Sequence, residues 1–134
     1  MTRFVVDAGA VVQLASEELE VAAAHELLAP TLLRSQTLSA LHEAVLRGEL
    51  SADVGRDRLD RVSRMPIRLL GDAVLRRRAW DVASQLGWAT TYRAEYVALT
   101  LLQAEALVTL DRELARSVKG VIKVASLEDL RRAP

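Results

Sequence analysis

The sequence contains no cysteine. Disulfides, thiolate zinc sites and cysteine nucleophiles are thereby excluded, and the absence fits a reducing compartment. It also lacks charge of one sign, with 18 basic residues against 18 acidic ones. No global field draws the protein toward nucleic acid or membrane, so any such binding must come from a local patch. No stretch approaches the roughly 18 consecutive apolar residues of a membrane span. The opening MTRFVVDAGAVV has a charge followed by an apolar run, but Asp7 interrupts that run within four residues. A signal peptide is therefore not expected, and the expectation is a soluble cytoplasmic protein. Aromatic residues make up only 4% of the chain, and Trp80 and Trp88 are expected to pack rather than to stack on bases. G-x-S-x-G, G-x-x-x-x-G-K-[ST] and G-x-G-x-x-G are all missing, which removes support for nucleophile-elbow, P-loop and dinucleotide-binding chemistry.

What is present is a chain of 134 residues with 51% hydrophobic content, enough for one packed domain. RFVVDA reads as a buried first strand ending at Asp7, and the pattern turns helical from Ala8. Residues 17–28 (EELEVAAAHELL) are rich in helix formers and predict a helix broken by Pro30. Leu33, Leu38, Leu41, Val45 and Leu46 form a stripe of helical period, with Gly48 as a C-cap. Ser51 starts a polar, Arg-rich helix. A brief apolar run, IRLL, lies between Pro66 and Gly71, and a long helix follows to Gly87. EALVTLD (105–111) repeats the pattern of the first strand, a short apolar run ending in Asp, and VIKVAS (121–126) is a third strand candidate before a C-terminal helix. Strands separated by helices imply crossover connections, hence an α/β domain over residues 1–134: a mostly parallel sheet between helices in three layers.

Ligands of open parallel sheets bind beyond the carboxyl ends of the strands. Asp7 and Asp111 each fall just past such an end. On neighbouring strands they would converge on one crevice suited to a hard cation such as Mg²⁺ or Mn²⁺. Singly, each would merely cap the following helix. His25 and His42 have no ligand spacing between them and are expected at the surface or its boundary. The run Arg76, Arg77, Arg78 points in three directions on a helix and reads as a solvated face.

FVVDAGAVV, APTLLRSQTLSAL, TTYRAEYVALT and ALVTLDRELA follow one another in the order and spacing of a PIN domain. The likeness covers essentially the whole chain and is greatest to the small VapC-type toxins of bacterial toxin–antitoxin pairs. The resemblance implies a parallel sheet between helices, Mg²⁺-dependent endoribonuclease activity, a homodimer and a cognate antitoxin. It also implies four acids around the metal. Asp7 matches the first and Asp111 the last. The second, a Glu six residues beyond the Pro of the middle segment, is Gln36 here; the third, an Asp, is Arg93. Asp7 and Asp111 contribute −2 and Arg93 +1, a sum of −1 where four carboxylates would give −4.

Arg93 is doubly out of place, since the first turn of a helix favours acids by about 0.3–1 kcal/mol. A guanidinium can bridge two carboxylates, and lodged between Asp7 and Asp111 it would act as a built-in cation in place of the metal; the alternative is that it swings out to solvent and leaves a weak but open site. Gln36 retains a carbonyl oxygen but adds no charge. Glu95, an accessory candidate, lies about 200° around an ideal helix from Arg93, and Glu43 lies about 10 Å along the helix from Gln36. Two functions compete: a weakened VapC-like ribonuclease using Asp7 and Asp111, and a catalytically silent PIN-like protein that binds a partner. Phosphotransfer through Asp7 is the weakest reading, since Gly9 stands where haloacid-dehalogenase-like phosphatases carry a second Asp.

Overall fold

Residues 1–133 are described by a computed structural model. The elements run β1 (Thr2–Val6), α1 (Ala8–Glu17), β2 (His25–Pro30), α2 (Leu32–Leu46), α3 (Ala52–Arg64), β3 (Ile67–Leu70), α4 (Ala73–Leu86), α5 (Tyr92–Gln103), β4 (Ala106–Val108), α6 (Arg112–Ser117), β5 (Val124–Ala125) and α7 (Leu127–Arg131). The strands form one parallel sheet in the order β3-β2-β1-β4-β5. Helices flank it: α1 packs on α2 and α3, while α4 packs on α5, which itself lies along β1, β2 and β4. The α/β architecture expected from the alternating pattern is the one observed.

The central strands are buried on both faces, as parallel strands must be when helices cover them. Val5, Val6, Leu28, Ala29, Leu107 and Val108 are fully enclosed, and Phe4 pairs with Ala106, Val5 with Leu107 and Val6 with Val108. Most helices begin on a side-chain cap. Asp7, Ser51, Asp72, Asp111 and Ser126 each accept a backbone N–H from the first turn of the helix that follows, satisfying one of the donors that a helix start leaves free. The helices α2 and α5 lack such a bond; their N-cap residues are Thr31 and Thr91.

Two expectations fail locally. The helix predicted over residues 17–28 is not formed. The helix α1 stops at Glu17, because Glu18 adopts a left-handed conformation (φ 52°) and returns its N–H to Leu14. Residues 25–30 are instead a strand paired on both sides, to β1 and to β3. Its apolar end, Leu27 to Pro30, is buried in mid-sheet, so tertiary pairing overrides the helix propensity of His-Glu-Leu-Leu. Trp80 is the second failure. It does not pack but stands 69% exposed on α4. Trp88, by contrast, is partly buried against the core. His25 sits at the boundary as anticipated, edge-on to Phe4 with ring centroids 5.0 Å apart, on a strand rather than a helix.

Candidate active site

Strands β1 and β4 are adjacent and parallel, and each hands over to a helix through an Asp. Asp7 and Asp111 therefore emerge side by side at the carboxyl edge of the sheet and line one crevice of about 390 Å³ with Gln36, Glu43, Arg93 and Tyr96. Both carboxylates also do the capping job: Asp7 Oδ1 accepts from Ala10 N at 2.9 Å, and Asp111 Oδ1 from Leu114 N at 3.0 Å.

Thr109 ties the two together. Its hydroxyl donates to Asp7 Oδ2 and accepts the backbone N–H of Asp111 at 3.1 Å. One residue thus fixes the spacing of the two acids. Burial raises the Asp7 carboxyl above the ordinary Asp range, with Asp111 adding repulsion, against the lowering effect of the Thr109 hydroxyl and the Ala10 N–H.

Arg93 enters the crevice from the first turn of α5. Its Nη2 lies 3.9 Å from Asp111 Oδ2, an ion pair too long to be a hydrogen bond. Among the described residues it forms no ion pair with Asp7, so the two-carboxylate bridge envisaged from the sequence is not made. The guanidinium instead lies on Trp88, with Cζ 5.0 Å from a ring centroid, a cation–π distance. Nε and Nη2 are enclosed by protein without a hydrogen-bond acceptor. Trp88 and the carboxylate of Asp111 together hold the charge in place.

Gln36 is spoken for as well. Its Oε1 accepts the Tyr96 hydroxyl at 2.5 Å. Burial, with the carboxylates of Asp7 and Glu95 nearby, pushes the Tyr96 phenol well above its usual pKa, so it remains a donor. Glu43 reaches the rim of the crevice, but its carboxylate takes the Ser39 hydroxyl at 2.9 Å and faces Arg47 at 3.8 Å. Glu95 lines a different cleft, with Thr31, Arg76 and Trp80. Partial burial raises its carboxyl pKa, and Arg76 offsets only part of that rise.

A hard divalent ion needs several free oxygen ligands and an uncompensated negative field. Among the described residues no group of three or more His, Asp or Glu could hold a metal ion. Each of the two crevice Asp carboxylates already accepts hydrogen bonds, the Gln36 carbonyl is bonded to Tyr96, and a guanidinium stands beside Asp111. The residues present do not fit Mg²⁺ or Mn²⁺, and no catalytic step is derived through either.

Sequence reading found Asp7, Gln36, Arg93 and Asp111, and the fold gathers all four. It missed Thr109, Tyr96 and Trp88. For Thr109 the position two residues before Asp111 was the available signal. Tyr96 and Trp88 gave none, because their partners lie 60 residues away or across a loop.

No protein-family model matches the chain, and no curated protein matches it at a significant level. Solved structures do. The chain is similar to the PAE2754 protein from Pyrobaculum aerophilum, at 26% identity and a TM-score of 0.73, over 97% of this chain and 93% of that one. It is also similar to VapBC2 from Rickettsia felis, solved bound to a DNA fragment from its promoter, at 9% identity and a TM-score of 0.62, over 93% of this chain and 98% of that one. The fold of this chain is PIN-like.

Proposed function

We propose that this is a single-domain VapC-like PIN protein whose acidic crevice has become a charge-compensated pocket, so that Mg²⁺- or Mn²⁺-dependent cleavage of RNA is weak or absent. The observation that carries the reading is Arg93, seated on Trp88 with Nη2 3.9 Å from Asp111 Oδ2, where the resemblance places a carboxylate. A protein of this kind acts by binding. The partners the resemblance implies are a second copy of the chain and an antitoxin protein, in a cytoplasmic setting. No described helix is long and apolar enough to cross a membrane.

A second reading, an active metal-dependent nuclease, draws on one feature. Asp7 and Asp111 still meet at the ends of adjacent strands, and Arg93 engages only one of them. A fluorogenic RNA assay with Mg²⁺ and with Mn²⁺ separates the two. The silent reading expects wild type, Asp7→Ala and Asp111→Ala to be indistinguishable. Robust, chelator-sensitive cleavage by wild type that either substitution abolishes would refute it and establish the nuclease.

A further inference from the structure

The carboxyl edge of the sheet carries a second cleft, of about 610 Å³, on the side of β2 and β3. Its floor is the point where the two strands end. There Gly71 lies so close to Thr31 that an added Cβ would stand 3.0 Å from Oγ1 and 3.1 Å from Cγ2. One wall is a face of α4. Arg76 and Arg77 sit four and three residues before Trp80, the spacing that stacks side chains on one side of a helix. The other wall is the start of α5, with Thr91 and Glu95.

Three features mark this cleft. Trp80 exposes 69% of its surface in a chain with only two Trp. Arg76 and Arg77 are exposed and, among the described residues, form no ion pair. Glu95 places a carboxylate inside a basic cleft, partly buried and within the field of Arg76. An acidic peptide would suit the arginines but be repelled by Glu95. An aromatic ligand with a phosphate on one side and N–H donors on the other suits all three.

We propose that this cleft binds single-stranded nucleic acid, with a base stacked on Trp80, flanking phosphates on Arg76 and Arg77, and Glu95 accepting N–H groups from the base edge. Exposed aromatics in a basic groove hold single strands by stacking and phosphate contact. A carboxylate acceptor favours guanine, whose adjacent N1–H and N2–H donors can meet both of its oxygens, over uracil, whose single N3–H lies between two carbonyl acceptors. The acidic crevice takes no part, so the proposal stands whether or not the crevice cuts RNA.

The test is fluorescence anisotropy of labelled 12-nucleotide single strands, RNA and DNA, mixed-base and uracil- or thymine-only, in EDTA. Wild type is expected to bind the mixed strands with a Kd of about 1–100 μM. The RNA and DNA arms identify the source. Trp80→Ala should weaken binding about tenfold or more, and Trp80→Phe should retain most of it. Arg76→Gln with Arg77→Gln should flatten the plot of log K against log salt by roughly 0.7 for each phosphate that is no longer neutralised. Glu95→Gln should shrink the preference for mixed over uracil-only strands. Absence of binding by wild type, or unchanged affinity in Trp80→Ala, would overturn the proposal. So would Trp80→Ala turning a dimer into a monomer in sedimentation while nucleic-acid affinity holds, since the face would then belong to an interface between copies.

Discussion

Replacing Arg93 with Ala should let the crevice bind a divalent cation, and the size of the gain follows from one distance. At the 3.9 Å that separates Arg93 Nη2 from Asp111 Oδ2, two unit charges interact by about 1 kcal/mol at the dielectric of water and about 4 kcal/mol at an effective dielectric of 20. The Arg93 side chain is 37% exposed and that of Asp111 is 50% exposed, which puts the pair in the lower half of that range and makes it worth at most about 1 kcal/mol to folding. A divalent ion held by Asp111 would face the guanidinium at similar range with twice the charge. The repulsion is then about 2–5 kcal/mol, or roughly 30- to 4,000-fold in affinity. Titration calorimetry with Mn²⁺ should show that gain for Arg93→Ala. Arg93→Asp combined with Gln36→Glu should gain more, since it supplies ligands as well as removing repulsion; the Tyr96 hydroxyl can still donate to the new carboxylate at position 36. Without metal, the double variant should melt below wild type, because converging carboxylates repel one another. Wild type already binding Mn²⁺ tightly, or Arg93→Ala changing its affinity by less than about threefold, would refute the electrostatic reasoning.

Thr109→Val keeps the shape of the side chain but removes the hydroxyl joining Asp7 to the Asp111 N–H; a loss of about 1–3 kcal/mol in urea unfolding is expected. Gly55→Ala places a Cβ 2.6 Å from Val45 Cγ2, a stiff β-branched neighbour. It should destabilise the α2–α3 packing by about 1–3 kcal/mol, and Val45→Ala in the same chain should recover most of that. In the capping box of α7, the Ser126 N–H holds the Asp129 carboxyl below its ordinary pKa. A carboxyl lowered by folding stabilises above its unfolded pKa and ceases to do so as pH falls through the folded one. Asp129→Ala should thus melt lower than wild type at neutral pH, and the two melting curves should converge as the pH falls through the lowered Asp129 pKa.

The strands that end in Asp were legible because their own residues specify them: β-branched or apolar runs buried on both faces, closed by a residue that caps the next helix. The strand β2 was hidden because His25-Glu26-Leu27-Leu28 has the composition of a helix, and only its neighbours β1 and β3 make it a strand. The run at Ile67–Leu70 was too short to classify without those partners. The identities at positions 7, 36, 93 and 111 could be read by comparison with the PIN pattern. Their geometry could not. That Arg93 would lie on Trp88 and reach one carboxylate depends on a side-chain path that spacing does not encode. The exposure of Trp80 was misjudged for a general reason: a Trp on a helix rich in apolar residues is usually core, and only the packing of α4 shows that the core takes Leu75, Ala79 and Val82 instead.

The place of β1 in the middle of the sheet sets an order of assembly. It can pair with β2 after about twenty residues of intervening chain, but its other partner, β4, arrives a hundred residues later. Local pairing closes a short loop and distant pairing a long one, so the β1–β2–β3 half can form while the second edge of β1 is still bare. During synthesis Asp7 is made first among the crevice residues and waits longest for Thr109 and Asp111. The crevice therefore closes only once β4 has arrived, after β1, β2 and β3 have all been made. A nascent or truncated chain ending before β4 would present an unpaired central strand edge instead of an acidic pocket, and such edges recruit other strands.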